Sequence, residues 1–248
     1  MICLRINIKD VDINYVIYGN QKGKDILLLH GWGQNIEMMK FIGDHFEKNN
    51  RIIILDLPGH GQSDEPMYPW TLDDYSEMLE IFVKELKIDK PIVIGHSFGG
   101  RLAIRYSSNN IIDRLVLLAS PVRPEKSADS LKVKTLKALK KLPGMSSIAE
   151  QAKKYIGSRD YRNASPIMRQ VLVNVVNVDL TEYAKQIEEP TILIWGDMDE
   201  EARLEDAELL EAVMPDAGLI VLPGTHYAYI ENLMQVVNII NSFIGGKK

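Results

Sequence analysis

The residues best able to do chemistry fall in one short run: Gly95, His96, Ser97, Phe98, Gly99 and Gly100. A serine hydroxyl is a weak nucleophile until the backbone holds it out of the fold and a neighbouring base takes its proton. The G-x-S-x-G spacing meets the first condition. A serine in a strained turn between strand and helix needs glycine neighbours, because a Cβ at Gly95 or Gly99 would crowd the adjoining strand or helix. A chain with 17 glycines can produce this pattern by chance, so the flanks decide. Ile92 to Ile94 is a short apolar run, and Arg101 to Tyr106 opens a helical pattern, which is the strand, turn and helix context required. Ser97 is the candidate nucleophile, and His96 reads as its structural neighbour.

An activated serine also needs a base within hydrogen-bond reach and a carboxylate to orient that base, both on loops after later strands. Trp195 ends one apolar run and is followed by Gly196, Asp197, Met198 and Asp199; Leu222 ends the last and is followed by Pro223, Gly224, Thr225 and His226. His226 is the candidate base, against the plainer reading of a surface-loop histidine, and Asp197 and Asp199 compete as the acid. Acyl transfer further requires two backbone N–H donors aimed at the developing oxyanion, each worth roughly 3 kcal/mol. One is the N–H of Phe98, directly after the serine.

The elements that must position these groups are legible as periodicity. Cys3 to Ile8 and Ile13 to Tyr18 alternate apolar and polar residues, as an antiparallel pair at a sheet edge does. Ile26 to Leu29, Ile52 to Leu55, Ile92 to Ile94, Leu115 to Ala119, Thr191 to Trp195 and Leu219 to Leu222 are nearly continuous in hydrophobicity, as central parallel strands covered on both faces are. Helical patterns lie between them. Leu72 to Leu86 is one, opened by Thr71 with Asp74 three residues on, an acidic analogue of a capping box. Pro121 to Ile187 holds no convincing strand pair, is punctuated by Pro124, Pro143, Gly144, Gly157 and Pro166, and reads as a helical insertion.

The chain order of nucleophile, acid and base resembles that of the α/β-hydrolase superfamily, and the resemblance covers essentially everything outside the insertion. It implies a mostly parallel eight-stranded sheet flanked by helices, with residues 1–120 and 187–248 as the core and 121–186 as a small helical cap inserted after the sixth strand. It selects Asp199, three residues after the strand-closing Gly196, as the acid. It also makes His30, Gly31, Trp32 and Gly33 similar to the family's oxyanion loop, with the Trp32 N–H as second donor and His30 as a brace. Asp56, Leu57, Pro58, Gly59, His60, Gly61, Gln62 and Ser63 resemble the family's D-x-x-G-x-G-x-S turn, read as architecture with His60 structural.

The function implied is a serine hydrolase, foremost a carboxylesterase working through an acyl-enzyme on a small or medium acyl ester. The same residues also serve carbon–carbon bond hydrolases, lyases and small-molecule receptors of this fold. An arginine or asparagine pair in the pocket, for which Arg123, Arg159 and Asn163 are candidates, would favour the carbon–carbon reading. No metal or nucleotide cofactor is expected, since HExxH, paired CxxC, G-x-G-x-x-G and P-loop patterns are absent.

The net charge of -5 offers no field for nucleic acid. The single cysteine, Cys3, and an N-terminus interrupted by Arg5, Lys9 and Asp10 point to the cytoplasm, and no apolar run approaches the roughly 18 residues of a membrane span. Residues 121–186 carry 13 basic against six acidic residues, a net of +7 on a body of -12. Leu131 to Leu142 is the densest part, with Leu131, Thr135, Ala138 and Leu142 on one face and lysines over most of the rest. Such a face is either simply solvated or steers an acidic ligand or acidic carrier protein to the site. His30 to Gly33 followed by Asn35 is similar to the loop of pimeloyl-carrier-protein methyl ester carboxylesterases, which accept such a carrier. This chain departs from that family at His96, where they have tryptophan, and many relatives carry a proline after the acid that is missing here. If steering operates, turnover of an anionic ester falls as ionic strength rises; a flat salt response overturns it.

Overall fold

Apolar runs that alternate with amphipathic helices bury both faces by forming a parallel sheet with helices over each side. The computed structural model, which describes residues 3–124 and 164–245, shows this arrangement. β1 (Leu4–Ile8) and β2 (Val11–Gly19) form an antiparallel hairpin, and β2 joins β4 (Arg51–Leu55) antiparallel. β3 (Asp25–Leu29), β4, β5 (Ile92–His96), β6 (Arg114–Leu118), β7 (Thr191–Gly196) and β8 (Ala217–Leu222) are mutually parallel. The sheet order is β1-β2-β4-β3-β5-β6-β7-β8, the expected eight-stranded, mostly parallel sheet.

Among the described residues the helices are α1 (Ile36–Gly43), α2 (Leu72–Glu85), α3 (Phe98–Ser107), α4 (Pro166–Val176), α5 (Thr181–Ala184), α6 (Leu204–Val213), α7 (Ala228–Glu231) and α8 (Leu233–Phe243). Successive residues of one strand face opposite sides. Leu27 and Leu29 therefore pack with α2, α3 and α4, whereas Ile26 and Leu28 pack with α1 and α8. Each such fully buried aliphatic side chain contributes about 1.5–3 kcal/mol. Thr71 and Asp74 do form a reciprocal capping box at the start of α2.

One expectation is corrected. β8 is not a covered central strand but the sheet's edge, with four of its six residues half-buried and Val221 exposed. An apolar run looks the same in sequence whether or not a further strand lies beyond it. Its open side is partly capped, since the Leu219 N–H donates to Glu211 Oε1 at 2.8 Å. Among the described residues no helix is long and apolar enough to cross a membrane.

The stretch after β6 is described at both ends, 121–124 and 164–187, whereas 125–163, including the lysine-rich Leu131 to Leu142 and both Arg159 and Asn163, lies outside the described residues. Two buried charges hold those ends. Arg101, on α3, donates through Nε to Val175 O at 3.0 Å, Nη1 to Pro121 O at 2.8 Å and Nη2 to Val178 O at 2.5 Å, joining the outgoing limb to the returning one. Burial lowers its pKa to about 10, so it stays charged at neutral pH. Asp206, on α6, accepts from Val122 N at 3.1 Å and Arg123 Nε at 2.7 Å. Replacing Arg101 with methionine orphans three carbonyls and is expected to cost about 3 kcal/mol, lowering Tm by about 10 °C in a thermal melt. An unchanged Tm would show that the bridge contributes nothing.

Candidate active site

Five loops meet at the carboxyl ends of β3, β4, β5, β7 and β8, where parallel sheets place their ligand sites. Ser97 sits between β5 and α3 with φ +51° and ψ −112°. A non-glycine residue there stores about 1–3 kcal/mol of strain. The surroundings impose it: the Ser97 N–H donates to Leu118 O at 3.0 Å, and its carbonyl accepts the Arg101 N–H at 3.0 Å. A Cβ on Gly99 would run into the carbonyls of Leu29 and His30, and one on Gly95 would lie 2.6 Å from Gly100 Cα. Phe98 opens α3, so its N–H is among those a helix leaves free at its start.

The loop after β3 is braced from below. His30 is fully buried; its Nε2 accepts the Leu57 N–H at 2.9 Å, which leaves the ring proton on Nδ1 to donate to Gly31 O at 2.7 Å. Burial, reinforced by His60, lowers its pKa to about 3. Trp32 packs edge-on to Phe98, with centroids 5.5 Å apart, and to His60 at 4.7 Å. The two candidate oxyanion residues are thus neighbours. His60 donates from Nδ1 to Pro58 O at 3.1 Å, and burial pushes its pKa below the usual range. Asp56 anchors the same turn, accepting from Asn14 Nδ2, Ile36 N and Gln62 N, each at 2.8 Å.

On the other side, Asp199 and His226 meet. Asp199 Oδ2 lies 2.9 Å from His226 Nδ1, with the two side chains 0% and 6% exposed. The other oxygen, Oδ1, accepts the N–H groups of Glu201 and Ala202 at 2.8 Å each, which orients the carboxylate. The competing Asp197 does a different job: its Oδ1 accepts the Gly224 N–H at 2.9 Å, tying the two loops together. The His226 ring is 4.8 Å from that of His96, so the loop after β8 lies against the turn that carries Ser97. Among the described residues no hydrogen bond joins Ser97 Oγ to His226; such bonds often tighten only when substrate arrives.

Two further groups escape sequence reasoning. Glu201 Oε2 reaches within 3.7 Å of His226 Nε2, and Gln34 Oε1 accepts the Gly31 N–H at 3.0 Å while lying 3.2 Å from His96 Nδ1. No spacing rule marks either one. Among the described residues no group of three or more potential ligands is placed to hold a metal ion. A hollow of about 660 Å³ lined by Ile192, Ile220, Met234 and Phe243 lies beside β8 and contains none of these residues.

The profile of the α/β-hydrolase fold matches residues 25–146. The chain is 26% identical to the AB hydrolase superfamily protein YisY of Bacillus subtilis, across 89% of this chain and 91% of that one. It is 22% identical to the pimeloyl-[acyl-carrier protein] methyl ester esterase of Aliivibrio fischeri, across 90% and 94%. The fold superimposes on the enol-lactonase of Burkholderia xenovorans with a TM-score of 0.79 at 19% identity, covering 98% of this chain and 100% of the other.

The buried imidazole of His30 makes a pH prediction. Its folded pKa is depressed, so below about 6.5 the unfolded chain takes up a proton that the folded chain refuses, and stability is lost progressively toward pH 3. Urea melts between pH 7 and pH 4 on wild type and His30→Gln should show a shallower decline in the variant, by up to about 1.4 kcal/mol per pH unit. Equal slopes would mean that His30 titrates normally in the fold.

Proposed function

The chain belongs to the α/β-hydrolase superfamily, and from that premise we propose that it is a serine hydrolase, a carboxylesterase acting on small or medium acyl esters. The observation that carries this reading is the buried Asp199–His226 pair at 2.9 Å, set against a strained serine turn at the mouth of the sheet.

In this reading Ser97 Oγ attacks the ester carbonyl while His226 Nε2 accepts its proton. Asp199 holds the Nδ1–H and stabilises the imidazolium that forms. The N–H groups of Trp32 and Phe98 receive the oxyanion, and the tetrahedral adduct collapses as His226 hands the proton to the departing alcohol. Water, deprotonated by the same imidazole, then attacks the acyl-enzyme and releases the carboxylic acid with Ser97 restored. In this reading the described ends of the insertion, 121–124 and 164–186, contribute to the roof of the pocket, and there Met168 lies against Gly59, where a Cβ would collide with the thioether. An acidic ligand or carrier drawn to the basic roof remains part of the proposal, and the methyl ester esterase relative supports an ester substrate. Arg123 is engaged with Asp206 at 2.6 Å, which weighs against its serving as a substrate arginine in a carbon–carbon hydrolase.

A panel of p-nitrophenyl esters of increasing acyl length, run on wild type and Ser97→Ala, tests the class. Turnover is expected in the wild type with one chain-length optimum, and kcat should fall at least about 10³-fold in the variant. Undiminished turnover in Ser97→Ala would overturn the mechanism.

A further inference from the structure

The chemistry just described gives no task to His96, which is fully buried directly before Ser97. Its ring is wedged between two loops. On one side its centroid lies 4.8 Å from that of His226 and 4.5 Å from that of Tyr229. On the other, a Cβ on Gly31 would sit only 2.8 Å from His96 Nδ1, so glycine there permits the approach.

Both ring nitrogens face polar atoms. Nε2 is 3.1 Å from the backbone oxygen of His226, and Nδ1 is 3.2 Å from Gln34 Oε1, which itself accepts the Gly31 N–H at 3.0 Å. A continuous polar line therefore runs from the Gly31 N–H through the Gln34 amide and the His96 imidazole to the His226 carbonyl. It starts in the loop that carries Trp32 and ends on the residue that carries the base. We propose that His96 is a positioning residue that sets the distance between the oxyanion donors and the His226 imidazole, acting through its two ring nitrogens. This rests on the serine-hydrolase reading.

The chemistry of the line explains why a histidine serves here. The His226 carbonyl can only accept, and Gln34 Oε1 can only accept while it serves Gly31. A neutral imidazole has one N–H, so one tautomer holds the base loop and the other holds the oxyanion loop. Turning the Gln34 amide to donate to Nδ1 would set its NH₂ against the Gly31 N–H. Burial, the largest influence, lowers the His96 pKa to about 3, so the ring divides one proton between two loops. Reacting groups displaced by about 1 Å can lose about a hundredfold in rate, so this link belongs to the rate-determining geometry although it touches no substrate.

The test uses the whole chain and the ester the wild type turns over best. His96→Phe keeps a ring of similar size but loses both polar contacts. It is expected to lower kcat by about tenfold to a hundredfold with KM within about twofold, and to weaken a boronic acid that mimics the tetrahedral adduct by a similar factor. His96→Gln, whose amide can donate to the His226 carbonyl, should recover most of the loss. Gln34→Ala, on a half-buried loop residue, provides a variant that leaves the buried ring in place, and the double variant should be no worse than the poorer single one. Unchanged kcat in His96→Phe, losses that add independently, or a rise in KM equal to the fall in kcat would each overturn the positioning role. If Ser97→Ala is inactive while His96→Phe is unimpaired, only this inference fails; if Ser97→Ala is active, the hydrolase reading fails first.

Discussion

The structure depends on one close approach: the start of α3 lies directly against the ends of β3 and β5. It is possible only because Gly99 has no side chain to meet the Leu29 and His30 carbonyls and Gly95 none to meet Gly100. That contact forces Ser97 into a backbone conformation that costs about 1–3 kcal/mol in isolation. In return Ser97 stands at the carboxyl end of the central strand β5, and Phe98 presents a helix-terminal N–H beside Trp32. Relaxing the turn would at once retract the serine and separate Phe98 from Trp32.

Around this turn the chain buries four of its five histidines, His30, His60, His96 and His226, and divides work among them. His30 is locked in one tautomer by an N–H below and a carbonyl above, so it braces without reacting. His60 packs against both Trp32 and Phe98 and spends its Nδ1–H on Pro58. His226 alone is backed by a buried carboxylate. Four chemically identical side chains thus take different parts, because burial and partners, not residue type, decide which nitrogen holds a proton and what that proton can reach.

The link from site to periphery is also polar. Arg101 belongs to α3, so the helix that presents the serine also grips Pro121, Val175 and Val178. Asp206 grips the outgoing limb from the opposite side. A buried charge is costly unless every donor or acceptor is engaged, and here backbone carbonyls supply most of that engagement. The described ends of the stretch that the proposed reading makes the pocket roof are therefore attached to α3 by hydrogen bonds as well as by the apolar contacts of Met168, Val171 and Val175.

The sequence alone carried the strand and helix alternation, because burial on two faces demands continuous apolar runs and burial on one demands a period. It also carried the serine turn, since the strain of that turn excludes side chains at fixed offsets. The edge position of β8 was hidden, because an apolar run does not record how many neighbours it has. Spacing alone left Asp197 and Asp199 competing and only the family resemblance favoured Asp199; the tertiary structure sets Asp199 against His226 and Asp197 against Gly224. Gln34, Glu201, Arg101 and the task of His96 were invisible for the same reason. Their partners lie on other loops, and a hydrogen bond between distant segments has no spacing to leave in a sequence; it exists only once the sheet brings those loop ends together.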